Sequence, residues 1–176
     1  MAHGELNSRL LAPNREAMPV SLRPNRPEDE PFLFEVYART RADEMALVPW
    51  PVAQKRAFLQ MQSTAQRQSY AQQFPAAQWN IILCAAESIG RLIVDRADDA
   101  IYLIDVALLP EYRSAGIGTL LVQNLLDEAA QINKPVQLQV DKNNRVRRFY
   151  DRLGFHVIGD TGLYFSMEWC PGDTVA

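Results

Sequence analysis

Between a nearly continuous apolar run and an amphipathic segment the chain carries Arg113-Ser114-Ala115-Gly116-Ile117-Gly118-Thr119, residues whose order suits the holding of an anion. Gly116 and Gly118 have no Cβ, so the backbone there can come close to a ligand and adopt angles that other residues avoid. The first amides of the helix that follows lack internal acceptors, and the helix dipole adds partial positive charge. A pyrophosphate is therefore favoured at this point, with the Arg113 guanidinium as a full charge beside it. A phosphate loop of the Walker kind needs Gly, four residues, Gly, then Lys and Ser or Thr, and no such series occurs. A dinucleotide fingerprint needs a third Gly where Leu121 stands, and an acidic ribose contact after a later strand. The plainer alternative is a tight turn that only caps a helix.

The loop follows the strand-like residues 101–109 and Pro110. A second block, Asn143-Asn144-Arg145-Val146-Arg147-Arg148-Phe149-Tyr150-Asp151-Arg152-Leu153-Gly154-Phe155, comes after it. The series Arg-x-x-Gly-x-Gly, then Asn seven residues before Tyr and a closing Gly-Phe, resembles the GCN5-related N-acetyltransferase (GNAT) family in order and separation. Element order extends the resemblance over residues 20–169. It implies an α/β fold: one domain with a mixed, largely antiparallel central sheet flanked by helices, as in acyl-CoA N-acyltransferases. It also implies acetyl-CoA as the acyl-donor cosubstrate. Val106, Ala107 and Leu108 then line the pantetheine arm through backbone groups. Arg113, Ser114, Ala115, Gly116, Ile117, Gly118 and Thr119 hold the pyrophosphate. Asn143 hydrogen-bonds the pantetheine or thioester region, a role compatible with capping the next helix.

By the same resemblance Tyr150 is the expected general acid. An amine that attacks a thioester expels a thiolate, and a phenol of ordinary pKa about 10 keeps its proton near neutrality and can give it to that sulfur. The competing reading is a core tyrosine on the apolar face of its helix, with a satisfied hydroxyl. The base is open. Some family members that acetylate protein N-termini carry Glu four residues before the motif Asn, and here that position is Gln139. Asp105, Asp141 and Glu44 are the alternatives, acting directly or through water. Asp105 is preferred because a carboxylate in an apolar strand is costly unless it is paired or functional; pairing with an arginine would also explain it. Of the basic residues Lys142, Arg145, Arg147, Arg148 and Arg152, one suits the CoA 3′-phosphate and most suit a solvated face. Asp43, Glu44 and Trp50 flank the connection where this family frames its acceptor, expected to be a small-molecule amine or a protein amine. A noncatalytic acyl-CoA-binding or sensory module is the rival reading.

These groups need elements to position them. A first strand is expected near Val20, a helix from Pro27 or Pro31 with Phe32, Phe34, Val36, Tyr37 and Ala38 inward, and a break at Val48-Pro49-Trp50-Pro51. A glutamine-rich helix follows, with Phe58, Met61 and Ala65 at i, i+3 and i+7 as its apolar face. Residues 79–85 and 89–94 predict a hairpin turning at Ala86-Glu87-Ser88, Asp98-Asp99 a turn, and 101–109 a central strand covered on both faces. After the glycine loop, Ile117, Leu121, Leu125, Ala129 and Ile132 mark a helix that Asn133 and Pro135 end. Residues 136–140 predict a strand, and Val146, Phe149, Tyr150 and Leu153 a helix stopped by Gly154. Two strands, at 155–158 and 163–169, complete the chain.

The 176 residues suit one domain, with 1–19 as an N-terminal tail, 20–170 as the acetyltransferase domain and 171–176 as a C-terminal tail. With 18 Lys and Arg against 21 Asp and Glu there is no global basic field for nucleic acid. Residues 1–19 lack the apolar core of a signal peptide and no run approaches a membrane span, so a soluble, cytoplasmic protein is expected. Cys84 and Cys170 fit a reducing compartment, and with His3 and His156 are too scattered for a metal site. The oligomeric state is left open, a homodimer included.

Overall fold

Proline punctuation and the change from helical to strand period resolve into five α-helices and seven strands among the described residues, which in this computed structural model are 19–142, 144 and 146–172. Asn143, Arg145 and His3 lie outside them. In chain order the elements are β1 (Val20–Pro24), α1 (Glu30–Thr40), α2 (Ala42–Ala46), α3 (Val52–Gln73), β2 (Gln78–Cys84) and β3 (Glu87–Arg96). They continue with β4 (Ile101–Leu108), α4 (Ile117–Gln131), β5 (Val136–Asp141), α5 (Arg147–Arg152), β6 (His156–Asp160) and β7 (Tyr164–Trp169). Short 3₁₀ turns at Pro27–Asp29 and Pro110–Tyr112 lead into α1 and the glycine loop. The strands form one sheet in the order β1-β2-β3-β4-β5-β7-β6, antiparallel except for the β4–β5 pair. This is the mixed, largely antiparallel architecture expected, in a single domain. No described helix is long and apolar enough to cross a membrane.

Alternation along the strands divides the core. Ile101 and Leu103 of β4 and Val136, Leu138 and Val140 of β5 pack with Ile117, Leu121, Val122, Leu125, Leu126 and Ala129 of α4 and with Tyr150 and Phe155. On the opposite face Val36 of α1 packs against Ala107 and Leu109, and Phe34, Tyr37 and Leu59 join α1 to α3. β3 and β4 approach so closely that a Cβ on Gly90 would run into the Ala107 carbonyl oxygen.

Three local expectations are corrected. The inward stripe of α3 is not Phe58, Met61 and Ala65: Leu59 and Ser63 are buried, Gln66 and Tyr70 half-buried, and Met61 is 62% exposed. The helix turns a mostly polar stripe to the sheet because the group beneath it, the Arg91 guanidinium, donates a hydrogen bond to Gln66. Ile132 is 49% exposed because α4 ends one residue earlier. The β2–β3 hairpin turns at Ala85 and Ala86, both with positive φ (47° and 71°), so Glu87 and Ser88 belong to the strand. That two-residue geometry matches the twist of the flanking strands even without glycine.

One ion pair staples β1 to the start of α1. Arg23 Nη1 and Nη2 each donate to Asp29 at 2.7 Å, and the Arg26 amide donates to the same carboxylate at 2.7 Å. The Arg23 hydrogen bonds hold the Asp29 carboxyl down to about 2, against the opposing effect of burial, with the Arg26 amide helping. A folded-state pKa below the unfolded one means that the unfolded chain binds the proton first. The stabilisation is therefore present above the ordinary carboxylate range and is lost as pH falls towards 2. Urea melts at pH 5 and pH 2.5 are expected to show a smaller acid-induced loss for Asp29→Asn than for the parent, with the variant the less stable of the two at pH 5. Equal acid sensitivity would remove Asp29 as a contributor.

Candidate active site

β4 and β5 pair through only three residues each: Ile101, Leu103 and the intervening Tyr102 against Val136, Leu138 and Gln137. Beyond Leu103 the register with β3 shifts between Ile93 and Val94, and β4 runs on through Asp105 to Leu108 bonded to β3 alone. β5 meanwhile continues to Asp141 paired with β7. The two central strands thus part inside the sheet, leaving one edge of residues 104–108 without a strand partner among the described residues. Unpaired strand edges present backbone N–H and C=O groups to whatever lies beside them. Val106, Ala107 and Leu108 occupy this edge, Val106 and Leu108 packing towards α4 and Ala107 towards α1.

The glycine loop stands at the mouth of the split. Gly116 caps α4 in the left-handed region (φ 83°, ψ −6°), and Ser114 before it has φ 59°. The first helical bond is Leu120 N–H to the Gly116 carbonyl at 3.0 Å, and the amides of residues 114–119 donate to no group among the described residues. A Cβ at Gly116 or Gly118 would meet nothing within 4 Å among the described residues beyond its chain neighbours and its own helix, so both glycines border open space there. A run of unsatisfied amides around such a space is a cradle for a phosphate group, and these residues fit the pyrophosphate of a CoA ester. Arg113 Nε donates to the Leu108 carbonyl at 2.9 Å, so the guanidinium pins the loop to the end of β4. Tyr112 Oη donates to Glu87 at 2.9 Å and Arg39 Nη2 reaches Glu111 at 3.3 Å, tying the approach to the loop to the β2–β3 hairpin and to α1.

Asp105 lies two residues past the last β4–β5 pair, on the face towards α1 and α3. Tyr150 comes from α5 on the other side of the split. Its ring is buried between Phe149 and Phe155, with centroids at 5.0 and 5.6 Å. Its hydroxyl makes no hydrogen bond to another described residue. Burial, and secondly the charge of Asp105, push the phenol above its ordinary range. Asp141 ends β5 opposite Tyr164, and Gln139 is exposed opposite Ser166. Glu44 sits on α2 and accepts from Arg41 at 3.1 Å, and Trp50 stacks edge-on against Phe58 at 5.4 Å. Lys142 pairs with Asp160 and lies 4.9 Å from the Phe165 ring, which Arg147 also covers at 4.5 Å. Arg148 and Arg152 are exposed.

Sequence reasoning missed the surroundings of Asp105. Arg91 of β3 is 3% exposed, with Nε 2.6 Å from Asp105 Oδ2. Its Nη2 donates to Gln66 of α3 at 3.0 Å, and its guanidinium lies 6.0 Å from the Tyr37 ring of α1. Tyr70 of α3 is pushed above its ordinary range, first by burial and then by Asp105. The available signal was an arginine within the apolar run 89–94, matching the acid in the next strand.

Residues 39–155 match the model of the acetyltransferase (GNAT) family. The PaiA N-acetyltransferase from Thermoplasma acidophilum, solved with coenzyme A, aligns at TM-score 0.66 and 19% identity over 87% of this chain and 99% of its own. The ribosomal-protein-S18-alanine N-acetyltransferase from Escherichia coli aligns at TM-score 0.58 and 17% identity, covering 89% and 96%. The histone acetyltransferase HPA2 and related acetyltransferase from Corynebacterium glutamicum aligns at 0.57 and 20%, covering 90% and 100%. At these identities the likeness is one of fold. No curated protein matches the chain.

Proposed function

We propose, since the chain belongs to the acetyltransferase (GNAT) family and uses acetyl-CoA as its acyl donor, that it moves the acetyl group to a primary amine of a small molecule or protein by direct attack of that amine on the thioester. The observation that carries this reading is the parting of β4 from β5 with the unsatisfied amides of residues 114–119 at its mouth. A thioester supplies an activated acyl carbon, and the protein's part is to place it and manage two protons. The amides of Ser114, Ala115, Gly116, Ile117, Gly118 and Thr119, with Arg113, hold the pyrophosphate. The backbone of Val106, Ala107 and Leu108 lines the pantetheine arm, where fixed amides also face the oxygen that gains charge as the amine adds. Asn143 contacts the pantetheine or thioester region. Asp105 takes the proton from the attacking nitrogen, directly or through water, and Tyr150 gives its proton to the sulfur as the carbon–sulfur bond breaks. The domain spans 20–170 and works in the cytoplasm.

The acceptor class is narrowed by one position. Gln139 stands where some family members acting on protein N-termini carry a glutamate, so that position supplies no base in this chain, and Asp105 on β4 takes the role in this reading. The test is release of CoA from acetyl-CoA with and without a panel of amines covering polyamines, amino acids, aminoglycosides and peptide N-termini. At least one amine is expected to raise the rate about tenfold or more over the amine-free background, within the range of positioned acid–base catalysis. CoA binding with a background rate for every amine would favour the acyl-CoA-binding module instead.

A further inference from the structure

We propose that Arg91 is a positioning residue for proton removal: from β3 it fixes the Asp105 carboxylate at the point where β4 and β5 part, and couples that carboxylate to α1 and α3. The inference rests on the reading of Asp105 as proton acceptor. Arg91 stands opposite Ala107 in the β3–β4 ladder and reaches back along the strand to Asp105. The two side chains are unequally covered: that of Arg91 is 4% exposed and that of Asp105 19%. The guanidinium is almost fully covered, and the carboxylate keeps the greater exposure of the two. A buried ion pair is weak grounds for stability, because apolar residues of similar size often serve the fold as well or better. β3 offers that alternative on either side, since Ile89 and Ile93 are fully buried. The contact is an ion pair and not a well-directed hydrogen bond: Nε and Oδ2 are 2.6 Å apart, and neither atom has a hydrogen-bond partner among the described residues. What Arg91 supplies is a fixed positive charge held by three elements, through Gln66 of α3, the Tyr37 ring of α1 and its own strand. The other titratable groups that face Asp105 are Tyr70 of α3 and Tyr150 of α5, with Arg41 and Tyr164 beyond Tyr70. Arg91 is the charged member of this set in contact with the carboxylate.

The experiment measures kcat/KM against pH with acetyl-CoA and the best amine of the panel, for Asp105→Asn, Arg91→Met, Arg91→Lys and the double variant Arg91→Met/Asp105→Asn. Melting temperature and the stabilisation given by CoA are followed alongside. Arg91→Met is expected to lower kcat/KM about tenfold or more and to change the acid limb of the profile, because a charge beside the carboxylate is gone. Arg91→Lys should return the limb towards the parent while leaving kcat low, because it keeps the charge and loses the fork. The double variant should be no slower than Asp105→Asn alone. CoA stabilisation should be parental throughout. A folded Arg91→Met with a parental acid limb, or losses that simply multiply in the double variant, would overturn the role of Arg91 while leaving Asp105 in place. A parental profile for Asp105→Asn would remove the base and the Arg91 proposal together. If Arg91→Met does not fold, Gln66→Met removes one anchor of the guanidinium and no charge. Its kcat should then fall with the acid limb unmoved, and a parental kcat overturns the proposal.

Discussion

Replacing Gly116 with Val is expected to abolish the stabilisation that CoA gives the protein. A ligand at a hundred times its dissociation constant adds about 2.7 kcal/mol to the folded state, which in a domain of this size raises the melting temperature by about 5–10 °C. Gly116 holds φ 83° where a β-branched residue is strained, so the variant without ligand should also melt a few degrees lower. That loss alone would not identify a binding defect, and Gly118 supplies the control. Gly118 is not in the left-handed region and its Cβ would enter open space, so Gly118→Leu brings no backbone strain and improves helix propensity. It should melt at or above the parent without ligand and still lose the CoA shift, because the side chain fills the cradle that the amides surround. A Gly118→Leu protein with the full parental shift would show that the pyrophosphate does not sit on this loop.

The contrast between these glycines indicates which features are legible in a sequence. The loop can be read because its chemistry is local: the glycines, the arginine and the following helical period stand within a few residues of one another. Tyr150 can be read from the Asn–Tyr spacing and its helix from the period and the stop at Gly154, whose φ of 91° ends the helix. The separation of β4 from β5 cannot be read in this way, since it depends on a parallel register set between residues more than thirty apart in sequence and on the shift in the β3 ladder. Arg91 is hidden for the same reason, as its partner is diagonal across two strands and its second anchor lies on α3. The face of α3 misleads because period reports where apolar residues recur, whereas the helix turns Ser63, Gln66 and Tyr70 inward to meet a buried charge. A polar stripe chosen by its partner leaves no hydrophobic signature.

Tyr150→Phe is expected to slow acetyl transfer by about 10²-fold or more, the usual scale of general acid catalysis, while CoA stabilisation changes little. The ring stays between Phe149 and Phe155, so the packing is kept. The hydroxyl makes no hydrogen bond to another described residue, so its removal strands none of their groups, and the cost to stability should be about 1 kcal/mol or less. That sets the variant apart from a core tyrosine, whose lost hydrogen bond would appear in the melting temperature first. The raised pKa of the phenol acts in two directions. It keeps the proton in place near neutrality, and it widens the gap by which a phenol is already a weaker acid than a thiol of ordinary pKa about 8.5. Transfer is therefore driven only as the carbon–sulfur bond opens and charge gathers on sulfur, and the hydroxyl acts by a hydrogen bond that strengthens along that coordinate. The rate deficit should accordingly sit in the chemical step. Single-turnover measurement on enzyme preloaded with acetyl-CoA should show the full 10²-fold loss at saturating amine, with the melting temperature near that of the parent. A parental single-turnover rate in a well-folded Tyr150→Phe protein would remove Tyr150 from the chemistry and leave it as packing alone.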